Sequence, residues 1–128
     1  MTLVVAAIVR SGRMVLLAQR PPDDPLGPRW EFPGGKVERG ESPEASLQRE
    51  LLEELGVRVE VGQRVAVSTY DDGCRSIRLV AYEVTRFDGE PVPTVHQALA
   101  WVAPEEVLSF DLLPADVPIA QVVAKADR

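Results

Sequence analysis

The sequence predicts an α+β domain in which helices pack against a central mixed β-sheet. Two observations indicate this class: β-rich runs joined by short glycine turns occupy both halves of the chain, and a strongly capped helical segment lies between them. The chain has 128 residues and a hydrophobic fraction of 45%, which is ample for one core. We therefore expect a single domain over residues 1–128.

The first part of the chain predicts three strands. Residues 2–10 and 14–20 are rich in aliphatic residues and flank Ser-Gly-Arg, a pattern typical of a hairpin. The following PPDDPLGPR has four prolines and one glycine in nine residues, which predicts an exposed loop. A short strand is expected over 30–32, and the Pro-Gly-Gly at 33–35 is expected to form a turn.

A helix is predicted over residues 43–55, because both of its ends carry strong local signals. Ser42 is a favourable N-cap, and Pro43 suits the first helical position. Gly56 is a natural terminator at the other end. At about 100° per residue, the helix has an apolar arc facing a core and an adjacent acidic arc. The apolar arc contains Leu47, Leu51 and Leu55, with Leu52 and Ala45 further round, and the acidic arc contains Glu50, Glu53 and Glu54.

The remaining chain predicts further strands and two short helices. Strands are expected over 58–70 and 76–87, joined by an Asp-Asp-Gly hairpin turn, and a third is expected over 98–102. A short helix over 104–108 and a C-terminal helix over 118–126 complete the prediction.

Charge and hydropathy exclude several functional classes. The net charge of −6 disfavours a broad nucleic-acid surface, which requires basic residues to neutralise phosphates. The apolar runs are too short for a membrane span, and the N-terminus lacks a signal-peptide pattern. We therefore expect a soluble, cytoplasmic protein with no stable nucleic-acid partner. A protein this acidic would need a bridging cation to handle phosphates.

The acidic arc suggests such a cation. Glutamates at i, i+3 and i+4 repel one another by a few tenths of a kcal/mol per pair, although such residues often simply decorate a solvated face. Mg²⁺ and Mn²⁺ prefer oxygen ligands and bind through a few carboxylates, so a cation would convert the repulsion into a site. Arg49 is the one arginine in the predicted helix that offsets this charge. The double glycine before the helix leaves room for close backbone approach.

These residues carry a family resemblance. Residues 35–57, GKVERGESPEASLQRELLEELGV, match the Nudix box Gx5Ex7REUxEExGU at all nine constrained positions, where U is a bulky aliphatic residue. The segments VVAAIV, LLAQRP, WEFPGGKVE, HQALAWV and LLPADVPIA resemble the MutT-like branch of the family, which includes 8-oxo-dGTP diphosphatases and CTP pyrophosphohydrolases. The resemblance implies the Nudix fold, an α/β/α sandwich with a central mixed β-sheet and a catalytic loop-helix-loop.

The resemblance implies a metal site that uses Mg²⁺, with Mn²⁺ as a substitute. Glu50, Glu53 and Glu54 would be its ligands, together with the carbonyl of Gly34. A bound cation would neutralise phosphate charge and activate water, as phosphoanhydride hydrolysis requires.

The resemblance also implies a catalytic set within the box. Either Glu50 or Glu53 would accept the proton of the attacking water, and the sequence does not choose between them. Arg49 would orient a catalytic carboxylate, with an ordinary surface ion pair as the alternative. Glu41 would stabilise the loop or bind an outer metal.

Substrate contacts are implied for Arg20, Gly35, Lys36 and Asp116. An ionised Asp116 would only accept hydrogen bonds, either from the exocyclic amine of cytosine or from N1 and N2 of a guanine. Both 8-oxo-dGTP and cytidine triphosphates therefore fit. The alternative role of Asp116 is to cap the final helix.

One position departs from the MutT-like pattern. Close relatives tend to carry an acidic residue immediately before the histidine of HQAL, available as an additional ligand or base, and this chain has Val95 there. Three outcomes are open: the box acids suffice, activity is reduced, or another acid reaches in from a loop. The candidates for that acid are Glu90, Asp71 and Asp72.

Four chemically versatile side chains are expected to take no part in the reaction. Cys74 is a lone thiol and is expected to be inert. Trp30 and Trp101 are expected to pack in the core rather than to stack on a base. The only histidine, His96, is expected to have a structural or peripheral role.

The expected function is hydrolysis of a nucleoside triphosphate to monophosphate and pyrophosphate, which would clear oxidised or modified nucleotides from the precursor pool and so support DNA repair. The expected assembly is a monomer or a small homo-oligomer. ADP-ribose is a less favoured substrate, because family members acting on it usually carry a proline shortly past the box, where this chain has Asp72 and Gly73. A non-catalytic Nudix module is also less favoured, since this chain keeps every box acid.

Overall fold

The computed structural model describes residues 1–126, which form strands, two α-helices and two 3₁₀ helices. The α-helices are Pro43–Leu55 (α1) and Val117–Ala126 (α2), and the 3₁₀ helices are Pro104–Ser109 and Pro114–Asp116. The strands are Thr2–Ser11 (β1), Met14–Gln19 (β2), Trp30–Glu31 (β3), Gly34–Lys36 (β4), Arg58–Glu60 (β5), Arg64–Asp71 (β6), Ser76–Val84 (β7), Arg86–Asp88 (β8) and Ala98–Val102 (β9). Within this range no helix is both long and apolar enough to cross a membrane.

The main sheet is mixed, and β1 lies at its centre. β1 runs parallel to β7 along most of its length, and β7 pairs antiparallel with β6. β1 meets β2 only next to their connecting turn, where Arg10 pairs with Val15. Further along, β4 lies antiparallel to β1 while β3 and β9 flank β2. The segment that joins β3 to β4 therefore passes between the two diverging strands.

Two hydrophobic cores cover the opposite faces of this sheet, because neighbouring residues of β1 alternate between them. Ala6 and Ile8 pack in the core that includes α2, and Val5, Ala7 and Val9 pack in the core that includes α1. The leucine arc of α1 is fully buried, with each leucine contributing about 1.5–3 kcal/mol. The predicted α/β/α sandwich with a central mixed sheet is confirmed.

The ends of α1 are those that its sequence predicts. The Ser42 hydroxyl accepts a hydrogen bond from the Ala45 amide at 3.1 Å, and Gly56 closes the helix in the left-handed conformation with φ of 71°. Leu52 is largely exposed, which agrees with its place at the margin of the apolar arc.

The double glycine adopts a different structure from the predicted turn. Pro33 forms a bend, but Gly34 and Gly35 belong to β4 and pair with Ala6 and Val5 of β1. The pairing requires glycine, because a Cβ atom on Gly34 would overlap the carbonyl oxygen of Val5. The turn prediction was wrong because the two glycines allow β4 to pair closely with β1 and do not reverse the direction of the chain.

The two long strands predicted after α1 are each divided. The 58–70 prediction becomes β5 and β6, and the 76–87 prediction becomes β7 and β8. β5 and β8 form a separate two-stranded sheet. The interruption occurs where the Gly62 amide donates to the Glu83 carbonyl at 2.8 Å, a backbone contact between distant residues that local patterning does not encode.

Candidate active site

A cavity of about 590 Å³ opens beside β1, between the box residues and the chain that leads into α2. One end of it, the α1 end, is lined by Gly34, Gly35, Lys36, Glu50 and Glu54. The other end, the Asp116 end, is lined by Arg20, Phe32 and Asp116, and Glu31 lines the cavity between the two ends. The structure thus brings seven of the ten predicted site residues to one cavity wall, and Glu41, Arg49 and Glu53 lie outside the lining described for residues 1–126.

Arg49 organises the α1 end. Its guanidinium donates two hydrogen bonds to Glu41, at 2.8 and 3.1 Å, and a third to Glu50 at 2.8 Å. It lies farther from Glu53, at 3.5 Å, and also donates to the Lys36 carbonyl at 3.3 Å. The side-chain hydrogen bond from Arg49 is the main reason that the pKa of Glu41 falls to about 2. Arg49 therefore holds the Glu50 carboxylate, and the catalytic role of that carboxylate stays a prediction.

Glu41 stabilises the loop before α1. Besides its two bonds from Arg49, its Oε1 accepts the Glu38 amide at 3.1 Å, so the carboxylate ties the loop to the helix. Of the two roles predicted for Glu41, the loop contact is the one that these hydrogen bonds support.

The second glycine of β4 makes room for the Glu50 carboxylate. A Cβ atom on Gly35 would lie 2.5 Å from the Cδ of Glu50, which is closer than real side chains approach. The glycine therefore allows the catalytic helix and β4 to lie against each other with a carboxylate between them.

Glu54 is mostly buried, and its Oε1 has no hydrogen-bond partner. Burial raises the pKa of its carboxyl to about 9, with further contributions from the neighbouring Glu50 and Glu31. A buried carboxylate oxygen without a partner costs free energy unless something binds it. Oxygen-rich surroundings of this kind fit a hard divalent cation.

The predicted ligands Gly34, Glu50, Glu53 and Glu54 are not preassembled into a closed site. Within residues 1–126, no group of three or more His, Cys, Asp or Glu side chains is placed together to hold a metal ion. Glu50 is drawn toward Arg49, and the Glu53 side chain is 59% exposed. Glu50, Glu54 and Gly34 nevertheless share the cavity wall.

Asp116 is a buried acid at the opposite end of the cavity. Its Oδ2 accepts the Phe32 amide at 2.9 Å, a contact between residues 84 positions apart. Burial, followed by the charge of Glu31, raises its pKa to about 8. This pKa favours the protonated carboxyl at pH 7, whereas the sequence interpretation took Asp116 as an ionised acceptor. Because it is bound to Phe32, the alternative role as a helix cap is not supported.

Arg20 is engaged by two carboxylates. Its Nη1 donates to both oxygens of Glu31, at 3.1 and 3.0 Å, and its Nε and Nη2 donate to Asp24 at 3.1 and 3.2 Å. The predicted substrate-binding arginine thus lines the cavity while its donors are directed to protein partners. Its evident role is to hold Glu31.

Glu31 is a site residue that the sequence interpretation missed. It lies between the two ends of the cavity, and its negative charge helps to raise the pKa values of both Glu54 and Asp116. His96, whose side chain is only 4% exposed, lines the cavity and contacts Glu31 through Nε2 at 2.9 Å, so the structural or peripheral role expected for the histidine stays a prediction. An acidic residue within an aromatic strand beside the glycines was the available signal.

None of the three candidate acids lines the cavity; the loop acid that does is Asp24, whose carboxylate accepts hydrogen bonds from Arg20. Val95 itself lines the wall and is 58% exposed. Asp71 and Asp72 instead accept backbone amides of their own hairpin turn, and Glu90 is exposed outside the lining. The hypothesis that one of these acids reaches in was wrong, because the hairpin uses its carboxylates locally.

Both tryptophans pack against other rings, as predicted. Trp30 meets Phe110 edge-on with ring centroids 5.1 Å apart, and Trp101 stacks on Phe87 at 6.4 Å. Cys74 is exposed in the β6–β7 turn.

Two features together define the class of protein. The capped acidic helix α1 lies against the glycine-containing strand β4, and the mixed sheet lies between two helical layers. The chain belongs to the Nudix family, whose NUDIX domain model matches residues 1–125, and it is a Nudix hydrolase. Members of the family generally use divalent metal ions and act on small nucleotide substrates.

Within the family the chain is related to MutT-type nucleotide hydrolases. It is 46% identical over 118 residues to CTP pyrophosphohydrolase of Escherichia coli K12, an alignment covering 92% of this chain and 87% of the relative. It is 32% identical to 8-oxo-dGTP diphosphatase of the same strain, covering 98% and 95% of the two chains. The solution structure of the E. coli ORF135 protein superposes with a TM-score of 0.90 at 43% identity, covering 99% and 91%.

Proposed function

We propose that the protein is a Mg²⁺-dependent nucleoside triphosphate pyrophosphohydrolase that releases nucleoside monophosphate and pyrophosphate, with Mn²⁺ as a substitute metal. The observation that carries the proposal is a single cavity of about 590 Å³ with two buried acids: Glu54, whose Oε1 has no hydrogen-bond partner, at one end, and Asp116 at the other. This volume is in the range of small-ligand sites, and the two ends suit a charged phosphate chain and a base.

At the α1 end, Glu50 and Glu54 would hold the cation, with Glu53 and the Gly34 carbonyl as further ligands. When bound, the cation would neutralise phosphate charge and lower the pKa of a bound water. Arg49 keeps Glu50 oriented toward the cavity through its 2.8 Å hydrogen bond. Lys36 and Gly35 line the same end and would contact the phosphate chain.

Glu50 is the better placed of the two predicted proton acceptors. Its carboxylate lines the cavity, where an attacking water would sit, whereas Glu53 is 59% exposed outside the lining. A general base must lie within hydrogen-bond reach of the proton that it accepts. We therefore assign proton acceptance to Glu50 and an outer ligand role to Glu53.

At the Asp116 end, the neutral acid would contact the base. A protonated carboxyl has one donor and a remaining acceptor, which matches N3 and the N4 amine of cytosine. It also matches O6 and N1 of a guanine derivative, so 8-oxo-dGTP remains a second substrate class. Only the guanine edge suits an ionised carboxylate in a two-bond contact, through N1 and N2. The two classes should therefore respond differently as Asp116 ionises.

A panel of substrates tests this proposal. The compounds are 8-oxo-dGTP, dCTP, 5-methyl-dCTP, CTP, dATP and ADP-ribose, compared by kcat/KM with Mg²⁺, with Mn²⁺ and with EDTA. We expect a cytidine triphosphate or 8-oxo-dGTP to lead and EDTA to abolish turnover. A lead for ADP-ribose would contradict the MutT-type assignment, and tight nucleotide binding without turnover would favour a non-catalytic module.

The pH profile of the same panel identifies the base class. As pH rises through about 8, where Asp116 loses its proton, kcat/KM for a cytidine triphosphate should fall relative to 8-oxo-dGTP. The Asp116→Asn variant, which does not titrate, should lack this change. A ratio that stays constant with pH in the wild-type protein would remove Asp116 from base recognition.

The proposed biological role is sanitation of the nucleotide precursor pool, with DNA repair as its consequence. Such substrates are dissolved small molecules, so we propose the cytoplasm as the location. We further propose that the chain acts as one catalytic domain, in a monomer or a small homo-oligomer.

A further inference from the structure

A short segment of the chain, residues 92–94, lies across the C-terminal turn of α1. The Val92 amide donates to the Leu55 carbonyl at 3.0 Å, and the Thr94 amide donates to the Glu54 carbonyl at 3.1 Å. The Thr94 hydroxyl lies 2.6 Å from the Glu53 carbonyl and 2.9 Å from the Glu54 carbonyl. We call these three residues the strap.

The strap completes the hydrogen bonding of the helix end. The last four carbonyls of an α-helix have no partner inside the helix, and many helices leave them to water. Here the Gly56 amide binds the Leu52 carbonyl at 3.1 Å, and the strap binds the three that follow. Thr94 alone accounts for the two carbonyls that belong to Glu53 and Glu54.

This turn needs external support for an electrostatic reason. It carries two glutamates and no basic residue, although the C-terminal end of a helix favours positive charge. Glu50 adds a like charge at i−3 from Glu53. A turn with this charge pattern tends to fray, and fraying would move the carboxylates that the chemistry requires.

We propose that Thr94 is a positioning residue: its hydroxyl fixes the backbone of Glu53 and Glu54, so that the metal-binding turn is in place before a cation arrives. The inference rests on the metal role proposed above for these two glutamates. The strap continues directly into Val95, on the cavity wall, and His96, which contacts Glu31. The same short segment therefore connects the catalytic helix with the middle of the cavity.

The test compares two substitutions of Thr94 with a matched control. Thr94→Val removes the hydroxyl but keeps the shape and the backbone amide, and Thr94→Ser keeps the hydroxyl. Ser109→Ala is the control, because the Ser109 hydroxyl also donates to a helical carbonyl, that of Glu106 at 2.7 Å, outside the cavity lining. The direct readout is Mn²⁺ affinity without nucleotide, measured from the free-ion signal in electron paramagnetic resonance.

Thr94→Val should weaken Mn²⁺ binding by about 3- to 10-fold, the equivalent of one hydrogen bond. Its kcat should fall at limiting metal and recover at saturating metal, with the nucleotide KM unchanged. Thr94→Ser and Ser109→Ala should bind Mn²⁺ like the wild-type protein. A folded Thr94→Val protein with wild-type Mn²⁺ affinity would overturn the inference.

Glu54→Gln separates this outcome from failure of the proposed function. If the wild-type protein and Glu54→Gln bind Mn²⁺ equally, the metal site itself is wrong, whatever Thr94 does. Should Thr94→Val fail to fold, amide hydrogen exchange in the wild-type protein decides instead. The Val92 and Thr94 amides must then exchange as slowly as the amides of α1. If they exchanged as fast as amides in an unstructured loop, the proposed role of the strap would be wrong.

Discussion

The two ends of the cavity are built in different ways. At the α1 end, the main contacts join residues close in sequence: Arg49 binds Glu50, one position away, and Glu41, eight positions away. At the Asp116 end, the defining hydrogen bond joins residues 84 positions apart. The residues to which we assign the chemistry thus lie in one local segment, whereas the proposed base-binding end depends on contacts between distant parts of the chain.

The two ends also control carboxyl groups in opposite directions. The guanidinium of Arg49 lowers the pKa of Glu41 to about 2, and burial raises the pKa of Asp116 to about 8. Glu54 belongs to the second type although it lies at the α1 end, since burial raises its pKa to about 9. The ion pair with Arg49 keeps Glu41 charged. Desolvation favours the neutral forms of Glu54 and Asp116 until a partner binds.

The largest effect is expected from Glu50→Gln at the α1 end. The change removes the proposed proton acceptor and a metal ligand while conserving size, so kcat should fall by about 10²- to 10⁴-fold. Initial rates with a cytidine triphosphate at saturating Mg²⁺ measure it. Glu53→Gln is the comparison and should lose less activity. If the two variants rank in the reverse order, Glu53 is the base.

Gly35→Ala should produce the next largest effect, because it changes the spacing without removing any catalytic group. The new Cβ would lie 2.5 Å from the Glu50 carboxylate carbon, so this side chain must move. We expect kcat to fall by about 10- to 100-fold, the result of misplacing a reacting group by about an ångström. Wild-type turnover by a folded Gly35→Ala protein would contradict the close contact between β4 and α1.

Asp116 is expected to make the free energy of unfolding depend on pH. Its native pKa of about 8 exceeds that of an unfolded aspartate, so the native state holds the proton more tightly. The stability that this group contributes is complete below the unfolded pKa and is lost as pH rises through about 8. The loss is a few kcal/mol, since one pKa unit corresponds to about 1.4 kcal/mol.

Thermal unfolding from pH 5 to 9 measures this dependence. The wild-type protein should lose more stability with rising pH than Asp116→Asn does. Glu54 is present in both proteins, so its own contribution cancels in the comparison. Parallel curves for the two proteins would show that Asp116 is not held neutral in the native state.

The smallest effect is expected from Val95→Glu, which adds an acid where the strap meets the cavity. Val95 is exposed, so the substitution should leave unfolding unchanged within about 0.5 kcal/mol. The added carboxylate should tighten Mn²⁺ binding by a few-fold at most, because the proposed principal ligands are those of the box. Abolished metal binding in a folded Val95→Glu protein would show that the valine has a positive role.

Local signals predicted the elements that depend on local interactions. The bounds of α1 were correct because Ser42 and Gly56 cap it in the manner that their residue types favour. The first hairpin and the C-terminal helix were likewise predicted to within a residue. The division of the two long strands was not predicted, because the interruption depends on backbone hydrogen bonds that join Glu83 to Gly62 and Gln63.

The candidate site likewise has features that local sequence predicts and features that depend on the tertiary structure. The box residues were recognisable from their spacing, and the structure brings Glu50 and Glu54 to the cavity. The neutral state of Asp116 could not be predicted, since it results from burial by segments distant in sequence. Glu31 was missed for a related reason: its partners Arg20 and His96 come from other strands and loops.

The hydrogen bond from Phe32 to Asp116 also bears on the order in which the protein matures on the ribosome. Once residue 57 has emerged, the nascent chain contains every proposed metal ligand and the arginine that orients them. The acid that would read the base is synthesised only after nine-tenths of the 128 residues, so its hydrogen bond from Phe32 can form only then. On the proposed assignment, discrimination between nucleotides would therefore be the last property that a newly made molecule acquires.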